Sequence, residues 1–192
     1  RVISLVPSAT QTLRALRTDS LLVGRTDFDV QDWLAHLPSV GGGLQPNLEE
    51  IVALSPDLVI RFHGEQDSRT PARLDDLGIM HIAVRPDRLQ DLCAGAILLG
   101  RVTGADSAAD SLVRALEAGL AELSQRVEQL PRLRAVYVLG GTPPWVAGPD
   151  TYIDEIIRLV GGDNAFQDLG ALYSAVSPEE LRARKIDVVL VS

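Results

Sequence analysis

Residues 47–60 read NLEEIVALSPDLVI, and residues 177–190 read SPEELRARKIDVVL. When the two segments are aligned, a helix-capping residue, two glutamates, an alanine, an aspartate and an apolar β-branched run fall at identical offsets. Each segment predicts a capped helix, a tight turn and a buried strand. The repeat indicates that the two halves of the chain share one topology, although α/β units also resemble each other in general.

Other parts of the chain extend the same alternation of strands and helices. Ser8, Asn47 and Ser177 each stand three residues before Gln or Glu, as helix N-caps do. Short apolar runs that predict buried strands occupy Val2–Val6, Leu21–Gly24, Leu58–Phe62, Ile79–Val84, Val136–Leu139 and Val188–Val191. The pattern predicts an α/β protein with mainly parallel sheets.

A long helix is predicted near residues 105–130, because leucines and a valine recur there at steps of three and four. We therefore expect an N-terminal lobe at 1–104, a connecting helix at 105–131 and a C-terminal lobe at 132–192. A packed crossover helix within one domain is the alternative. The second repeat stops just after its strand, so we expect an incomplete second lobe with an open strand edge. Either the chain is truncated or another chain covers this edge.

Composition excludes several classes of protein. The 192 residues are 46% hydrophobic, which rules out general disorder, and the formal charge of −8 argues against nucleic-acid binding. A single cysteine, Cys93, excludes an intrachain disulfide and a cysteine-built metal site. The sequence begins directly with a predicted strand rather than with Met. We therefore expect that an N-terminal segment, such as a signal or a membrane anchor, has been removed.

Signatures of catalysis are scarce. The sequence contains no GxSxG, HExxH, Walker or GxGxxG motif. The three histidines, His36, His63 and His81, have no metal-ligand spacing. We therefore expect no catalytic residue, no metal site and no resident cofactor, and the sequence favours a binding protein over an enzyme.

The few aromatic residues are placed where they could contact a ligand. Phe28, Phe62, Trp145 and Tyr173 fall in predicted loops or at strand ends. There they could stack on a large planar ligand or simply fill the core. His63 stands at a strand's carboxyl end, where open α/β sheets bind ligands. Ser8 and Asp150 or Thr151 are expected to cap helices whose free N–H groups suit anionic or amide-bearing ligand edges.

Several short motifs together resemble a known family. In the first half they are Ile3-Ser-Leu-Val-Pro-Ser-Ala-Thr10, Val23-Gly-Arg-Thr26, Val40-Gly-Gly42 and Pro46-Asn-Leu-Glu-Glu-Ile51. In the second half they are Pro143-Pro-Trp145, Gly161-Gly-Asp-Asn164 and Val176-Ser-Pro-Glu-Glu180. In this order and over nearly the whole chain, they resemble the vitamin B12 and iron-siderophore class of periplasmic substrate-binding proteins of ABC importers, and most closely its cobalamin-binding branch.

The resemblance implies two Rossmann-like lobes joined by one long helix, with a ligand held in the cleft between them. The transported ligand would be cobalamin or another metal chelate. One family aromatic position falls within residues 41–43, which are all glycine here, so haem or a ferric siderophore stays an alternative. Taken together, the expected ligand-binding residues are Pro7, Ser8, Asp27, Phe28, Gly42, Phe62, His63, Trp145 and Tyr173.

The resemblance also implies a membrane partner. Glu49 and Glu179 occupy equivalent places in the two repeats, and matching glutamates in the family pair with arginines of the permease. Glu50 and Glu180 are assigned to capping boxes. The implied location is the periplasm or the outer face of the cytoplasmic membrane. An enzyme or a metallocofactor scaffold on the same fold is the alternative from another class.

Overall fold

The computed structural model describes residues 1–64 and 69–191. These residues form two compact units. Unit 1 contains residues 1–86 and 91–113, and unit 2 contains residues 87–90 and 114–192. The predicted boundaries at 104 and 131 stay a prediction. No helix among the described residues combines the length and the apolar character that a membrane crossing requires.

Unit 1 is built on a four-stranded, fully parallel sheet. Its strands are β1 (Val2–Ser4), β2 (Leu22–Gly24), β3 (Leu58–Phe62) and β4 (His81–Val84), in the spatial order β2-β1-β3-β4. All four strands were predicted from their apolar runs, and β3 has the predicted bounds. Because the strands are parallel, their carboxyl ends lie along one edge of the sheet.

Helices cover both faces of this sheet. They are α1 (Pro7–Ala15), α2 (Leu48–Ala53), α3 (Thr70–Asp76) and α4 (Leu89–Thr103), with short 3-10 turns at Asp19–Leu21 and Asp32–Leu34. Val2 and Ile60 pack in a core cluster with residues of α1 and α4. Ile3 and Val59 point to the opposite face and pack with residues of α2 and α3. This alternation explains why the strands are apolar on both faces.

The long helix α5 (Asp106–Val127) lies within the range predicted for it. Gly104, which has a φ of +72°, separates it from α4. A Cβ on Gly100 would stand 2.5 Å from the Cβ of Ala109, so glycine is required where α4 and α5 pack together. Leu112 packs against the core of unit 1, and the apolar stripe continues with Leu116 and Leu123, which are partly exposed.

Unit 2 contains a five-stranded mixed sheet. Its strands are β5 (Leu133–Gly140), β6 (Trp145–Ala147), β7 (Gly162–Asn164), β8 (Tyr173–Ala175) and β9 (Val188–Val191), and its other helices are α6 (Tyr152–Leu159) and α7 (Pro178–Ala183). One core cluster includes residues of α7, and another, on the opposite face, includes residues of α6. Among the described residues, β9 pairs only with β5.

The internal repeat corresponds to a shared topology. β5 runs parallel to β7 on one side and to β9 on the other, as β1 does to β2 and β3. The helix before β9 matches the helix before β3. Unit 2 differs because β6 pairs antiparallel with β5 and β8. The prediction of mainly parallel sheets therefore holds fully for unit 1 and in part for unit 2.

Two helix starts follow the predicted capping. The Asn47 side chain accepts hydrogen bonds from Glu49 N (3.0 Å) and Glu50 N (3.3 Å). The Ser177 hydroxyl accepts one from Glu180 N (3.0 Å). Both caps place a glutamate, Glu49 or Glu179, at the second position of the helix.

Other capping predictions are wrong. Ser8 does not cap α1, because Pro7 opens the helix and Val6 occupies the cap position. Proline suits this first helical position, since it has no N–H to satisfy. Glu50 does not complete a capping box, because the Asn47 N–H donates to the Val40 carbonyl (2.8 Å). Glu180 instead pairs with Arg184 (3.2 Å).

Candidate functional site

The predicted ligand residues of unit 1 follow the carboxyl ends of three parallel strands. Pro7 and Ser8 follow β1, Asp27 and Phe28 follow β2, and Phe62 ends β3. His63 comes directly after β3, and its N–H donates to the Val84 carbonyl (2.9 Å). This edge is where open parallel sheets bind ligands, because loops and helix N-termini converge there. The topology thus gathers residues that are distant in the sequence.

A hydrogen-bonded turn presents Phe28 to solvent. The buried Asp29 carboxylate accepts hydrogen bonds from Thr26 N (3.0 Å) and from the Thr26 hydroxyl (2.7 Å). The same hydroxyl accepts one from Phe28 N (3.3 Å). Phe28 is 67% exposed as a residue, which is unusual for so large an apolar side chain. The turn therefore holds an aromatic surface in solvent.

The glycine loop at 41–43 lies beside both phenylalanines. The Gly41 carbonyl accepts from Asp27 N (3.0 Å), and the Ser39 hydroxyl donates to the Asp27 carboxylate (2.5 Å). A Cβ on Gly42 would stand 3.9 Å from Phe28 Cε2. A Cβ on Gly43 would stand 3.1 Å from Phe62 Cε2 and 2.3 Å from the Leu5 oxygen.

These contacts show why the loop carries glycine. Side chains are sterically excluded at Gly43, because its Cβ would collide with the Leu5 carbonyl, whereas Gly42 has room for one. Asp27, Phe28, Gly42 and Phe62 thus form one connected group, which we call the phenylalanine platform. The sequence placed its two aromatics at strand ends but gave no sign of the Gly43 contact.

The start of α1 adds backbone donors at the same edge. The first hydrogen bond within α1 runs from Thr10 N to the Val6 oxygen (3.0 Å), which leaves the N–H groups of Ser8 and Ala9 at the helix N-terminus. Ser8 is exposed and lines a small cavity of about 20 Å³ beside Arg85, after β4. The helix dipole favours negative charge at this position.

In unit 2, Trp145 is partly exposed beside the carboxyl end of β5. It opens β6 and pairs with Gly140 at the end of β5 and with Ala175 on β8. Its side chain is 48% exposed. Tyr173 pairs with Ala147, so Tyr173 and Trp145 lie diagonally on one face of the sheet, at a typical separation of about 7–8 Å.

Tyr173 is embedded in a cluster of tyrosines that no local sequence pattern predicts. It packs with Tyr137 and Tyr152 against the core beside α6. Burial, and secondarily the neighbouring Tyr152, raises the pKa of Tyr173 to about 12. Burial likewise raises the pKa of Tyr152. These phenols are therefore neutral at physiological pH and available as hydrogen-bond donors.

The N-terminus of α6 offers fewer donors than predicted. Thr151 caps the helix as expected, with its hydroxyl accepting from Asp154 N (3.1 Å). The Tyr152 N–H donates to the Asp87 carbonyl (2.5 Å). The prediction that the N–H groups of this turn are free for a ligand is therefore wrong for two of them.

The two predicted docking glutamates occupy equivalent, exposed positions on α2 and α7. Within the described residues, neither Glu49 nor Glu179 forms an ion pair. Glu49 also lines an open apolar groove of about 520 Å³ between α2 and α3, together with Val52 and Leu77. Each carboxylate is therefore available to an outside cation.

Within residues 1–64 and 69–191, no group of three or more His, Cys, Asp or Glu side chains is arranged to hold a metal ion. The carboxyls with clearly shifted pKa values lie away from the phenylalanine platform. A hydrogen bond from Arg184 lowers the pKa of Asp168.

Residues 2–192 match the family model described as periplasmic binding protein. The chain belongs to this family. A curated relative, the vitamin B12-binding protein of Vibrio vulnificus (strain CMCP6), is 26% identical over 193 residues, which cover all of this chain and 71% of the relative.

Two further relatives show the breadth of the similarity. The uncharacterized ABC transporter substrate-binding lipoprotein YvrC of Bacillus subtilis (strain 168) is 24% identical over 88% of this chain and 56% of its own length. The solved structure of the periplasmic heme-binding protein RhuT from Roseiflexus sp. RS-1, in apo form, has a TM-score of 0.84 at 26% identity. It covers 100% of this chain and 75% of that one. The fold predicted from sequence is thereby confirmed.

Proposed function

We propose that this chain is the substrate-binding part of an ABC importer and that it binds a cobalamin-like ligand. The observation that carries the proposal is the phenylalanine platform, where an exposed aromatic ring stands beside a glycine loop at the carboxyl edge of a parallel sheet. The name of the Vibrio vulnificus relative supports cobalamin as the ligand. Trp145 and Tyr173, in unit 2, stay predicted ligand residues.

A spectroscopic titration with cyanocobalamin, haemin and a ferric siderophore tests the ligand class. We expect saturable binding of cyanocobalamin. Haem is the second candidate, because the Roseiflexus structure is that of a heme-binding protein. Binding of haemin alone would select this second candidate. Binding of none of the three would refute the proposal.

The contribution of Phe28 can be separated from general surface effects. Phe28→Ala should weaken binding about 5–150-fold, equivalent to about 1–3 kcal/mol, because the ring would be buried by the ligand. Met80→Ala is the matched control, since Met80 is 70% exposed in the same unit but precedes β4, at the opposite edge of the sheet. Equal affinities of both variants would contradict the role of the platform.

We further propose that Glu49 and Glu179 dock the protein on its permease. An arginine can pair with each carboxylate through charge-assisted, bidentate hydrogen bonds, which fix orientation as well as affinity. The double variant Glu49→Arg, Glu179→Arg should abolish uptake with the cognate permease while leaving ligand affinity unchanged. The control double variant Glu117→Arg, Glu122→Arg makes the same charge change on the exposed surface of α5. Loss of uptake in both double variants would indicate a general charge effect.

We place the protein in the periplasm or on the outer face of the cytoplasmic membrane, where an importer collects its substrate. The name of the family and that of the Bacillus subtilis lipoprotein support this location. We propose no catalytic step. Incubation of bound cyanocobalamin, or of haemin, followed by recovery of the unaltered compound would agree with binding alone, and a modified product would refute it.

A further inference from the structure

Arg61, next to the end of β3, joins the platform to the neighbouring strand. Its Nη1 donates to the carbonyl oxygen of Phe62 (2.9 Å), and its Nε donates to Nδ1 of His81 on β4 (3.1 Å). Nε2 of His81 lies 3.1 Å from Oδ1 of Asp75 on α3. The side chain of His81 is only 14% exposed. Three elements are therefore linked by one chain of side chains.

The chemistry of these groups fixes the proton on the imidazole. A guanidinium carries donors only and keeps its protons in proteins, so the His81 Nδ1 that faces Arg61 must be an acceptor with a lone pair. Neutral His81 therefore carries its proton on Nε2, which donates it to the Asp75 carboxylate. Each contact in the chain then has one donor and one acceptor.

We propose that Arg61 is a positioning residue of the ligand surface and that neutral His81 holds it in place. The inference rests on the proposed function, because Arg61 acts through the Phe62 carbonyl at the end of β3. While Nδ1 accepts from Nε, the guanidinium is oriented so that Nη1 reaches the Phe62 oxygen. The hydrogen bonds of Arg61 to His81 and to the Phe62 carbonyl thus fix the end of β3, where Phe62 and His63 lie.

Protonation of His81 would open this arrangement. Among residues 1–64 and 69–191, the charged groups in contact with the imidazole are Arg61, from β3, and Asp75, from α3. A second proton on Nδ1 would place two N–H donors and two positive charges against each other at the Arg61 contact, while the Asp75 contact would persist. Acidification should therefore release Arg61 and, through it, the Phe62 carbonyl. The proposed ligand should bind more weakly at low pH.

Nitrogen-15 NMR of the imidazole tests the chain without any ligand. At about pH 8, the His81 signals should show an unprotonated Nδ1 and a protonated Nε2. In a His63→Gln background, which removes the imidazole of residue 63 itself, the backbone amide of residue 63 should shift with the same midpoint as His81 when the pH is lowered. The opposite tautomer, or an amide of residue 63 that does not follow His81, would overturn the proposal. This arm stands whatever the protein binds.

The second arm measures the affinity for cyanocobalamin and haemin between about pH 8 and 5. Wild type should lose about fivefold or more in affinity on acidification, which corresponds to the loss of one hydrogen bond. In a shared His63→Gln background, which removes the other imidazole at the end of β3, His81→Gln should show a flat profile, because its amide oxygen can accept from Arg61 but does not titrate in this range. His36→Gln, a change at an exposed histidine of the same unit, should keep the wild-type profile.

The outcomes separate the two proposals. In the His63→Gln background, a pH profile that His81→Gln leaves unchanged would overturn the role of Arg61 and His81 while leaving the proposed function intact. Failure of both compounds to bind at any pH would refute the proposed function, and the NMR arm would then decide the proton position and the coupling to His63. His81→Leu, which has no acceptor, should bind more weakly than His81→Gln at about pH 8. Equal affinities of these two variants would also overturn the proposal.

Discussion

The contact between Gly43 and the Leu5 carbonyl allows a sharp test of the platform. A Cβ at residue 43 would stand 2.3 Å from the Leu5 oxygen, whereas ordinary carbon–oxygen contacts begin at about 3.3 Å. Gly43→Ala therefore forces a backbone movement of about 1 Å. Leu5 N donates to the Ile60 carbonyl (2.7 Å), so this carbonyl belongs to a residue tied to β3.

The expected cost of Gly43→Ala is about 3 kcal/mol or more, at the upper end of typical overpacking penalties, because the obstacle is backbone rather than a flexible side chain. In a chain of this length, a loss of about 3 kcal/mol lowers the Tm by roughly 6–12 °C. Gly42→Ala is the control. Its Cβ would meet nothing closer than 3.9 Å, so we expect a change within about 0.5 kcal/mol.

Urea unfolding followed by the fluorescence of Trp33 measures the effect in unit 1. Trp33 packs against the core that includes α1, with the Arg14 guanidinium 4.9 Å from its ring centroid. The background variant Trp145→Phe removes the other tryptophan. Equal destabilisation by Gly42→Ala and Gly43→Ala would refute the collision between a Cβ at residue 43 and the Leu5 carbonyl. It would also refute this collision as the reason why residue 43, beside Phe62, is glycine.

Three further outcomes are expected in unit 2. Burial holds the pKa of Tyr173 at about 12 in the folded protein, against about 10 in the unfolded chain. The stability that the buried, neutral phenol contributes is therefore complete below about pH 10 and is lost as the pH rises toward 12. Tyr173→Phe should flatten that alkaline decline by about 1–2 kcal/mol in urea titrations, and an unchanged decline would contradict the assignment. Asn164→Ala should lower the free energy of unfolding by about 3 kcal/mol in the same assay. The buried amide donates to Asp154 (3.1 Å) and to two backbone carbonyls and accepts from a backbone N–H, and all of these hydrogen bonds would be lost. A loss below about 1 kcal/mol would contradict the importance of this network. Thr151→Ala should cost about 1 kcal/mol by removing the cap of α6, and thermal unfolding that matches wild type would show that the cap is dispensable.

Local sequence patterns predicted the elements whose patterns are strong. Leu58–Phe62 and Val188–Val191 form strands with the predicted bounds, because their β-branched runs suit a pleated, buried surface. The stripe of leucines likewise predicted α5. The strands β6, β7 and β8 were missed. Each has three residues, and Gly162–Asn164 carries no apolar run, so these segments become strands only by pairing with neighbours.

The candidate site was predictable only in its outline. Placing Phe28 and Phe62 near strand ends needs the strand pattern alone, since the carboxyl ends of parallel strands share one edge. The Gly43 contact and the packing of Tyr137 and Tyr152 beside Tyr173 join residues far apart in the chain. No local signal encodes such contacts, because they depend on how helices and strands pack.

The exposure of Phe28 follows from the turn that carries it. Burying a phenylalanine side chain stabilises a protein by about 1.5–3 kcal/mol, so a ring left in solvent forgoes that gain. Here the hydrogen bonds from Thr26 to the buried Asp29 carboxylate fix the backbone on both sides of the ring. The chain thus places a polar network beneath the turn and leaves the apolar ring outside. Such an arrangement lowers the stability of the free protein but gives a preorganised aromatic surface, which a ligand can cover without the cost of ordering the loop.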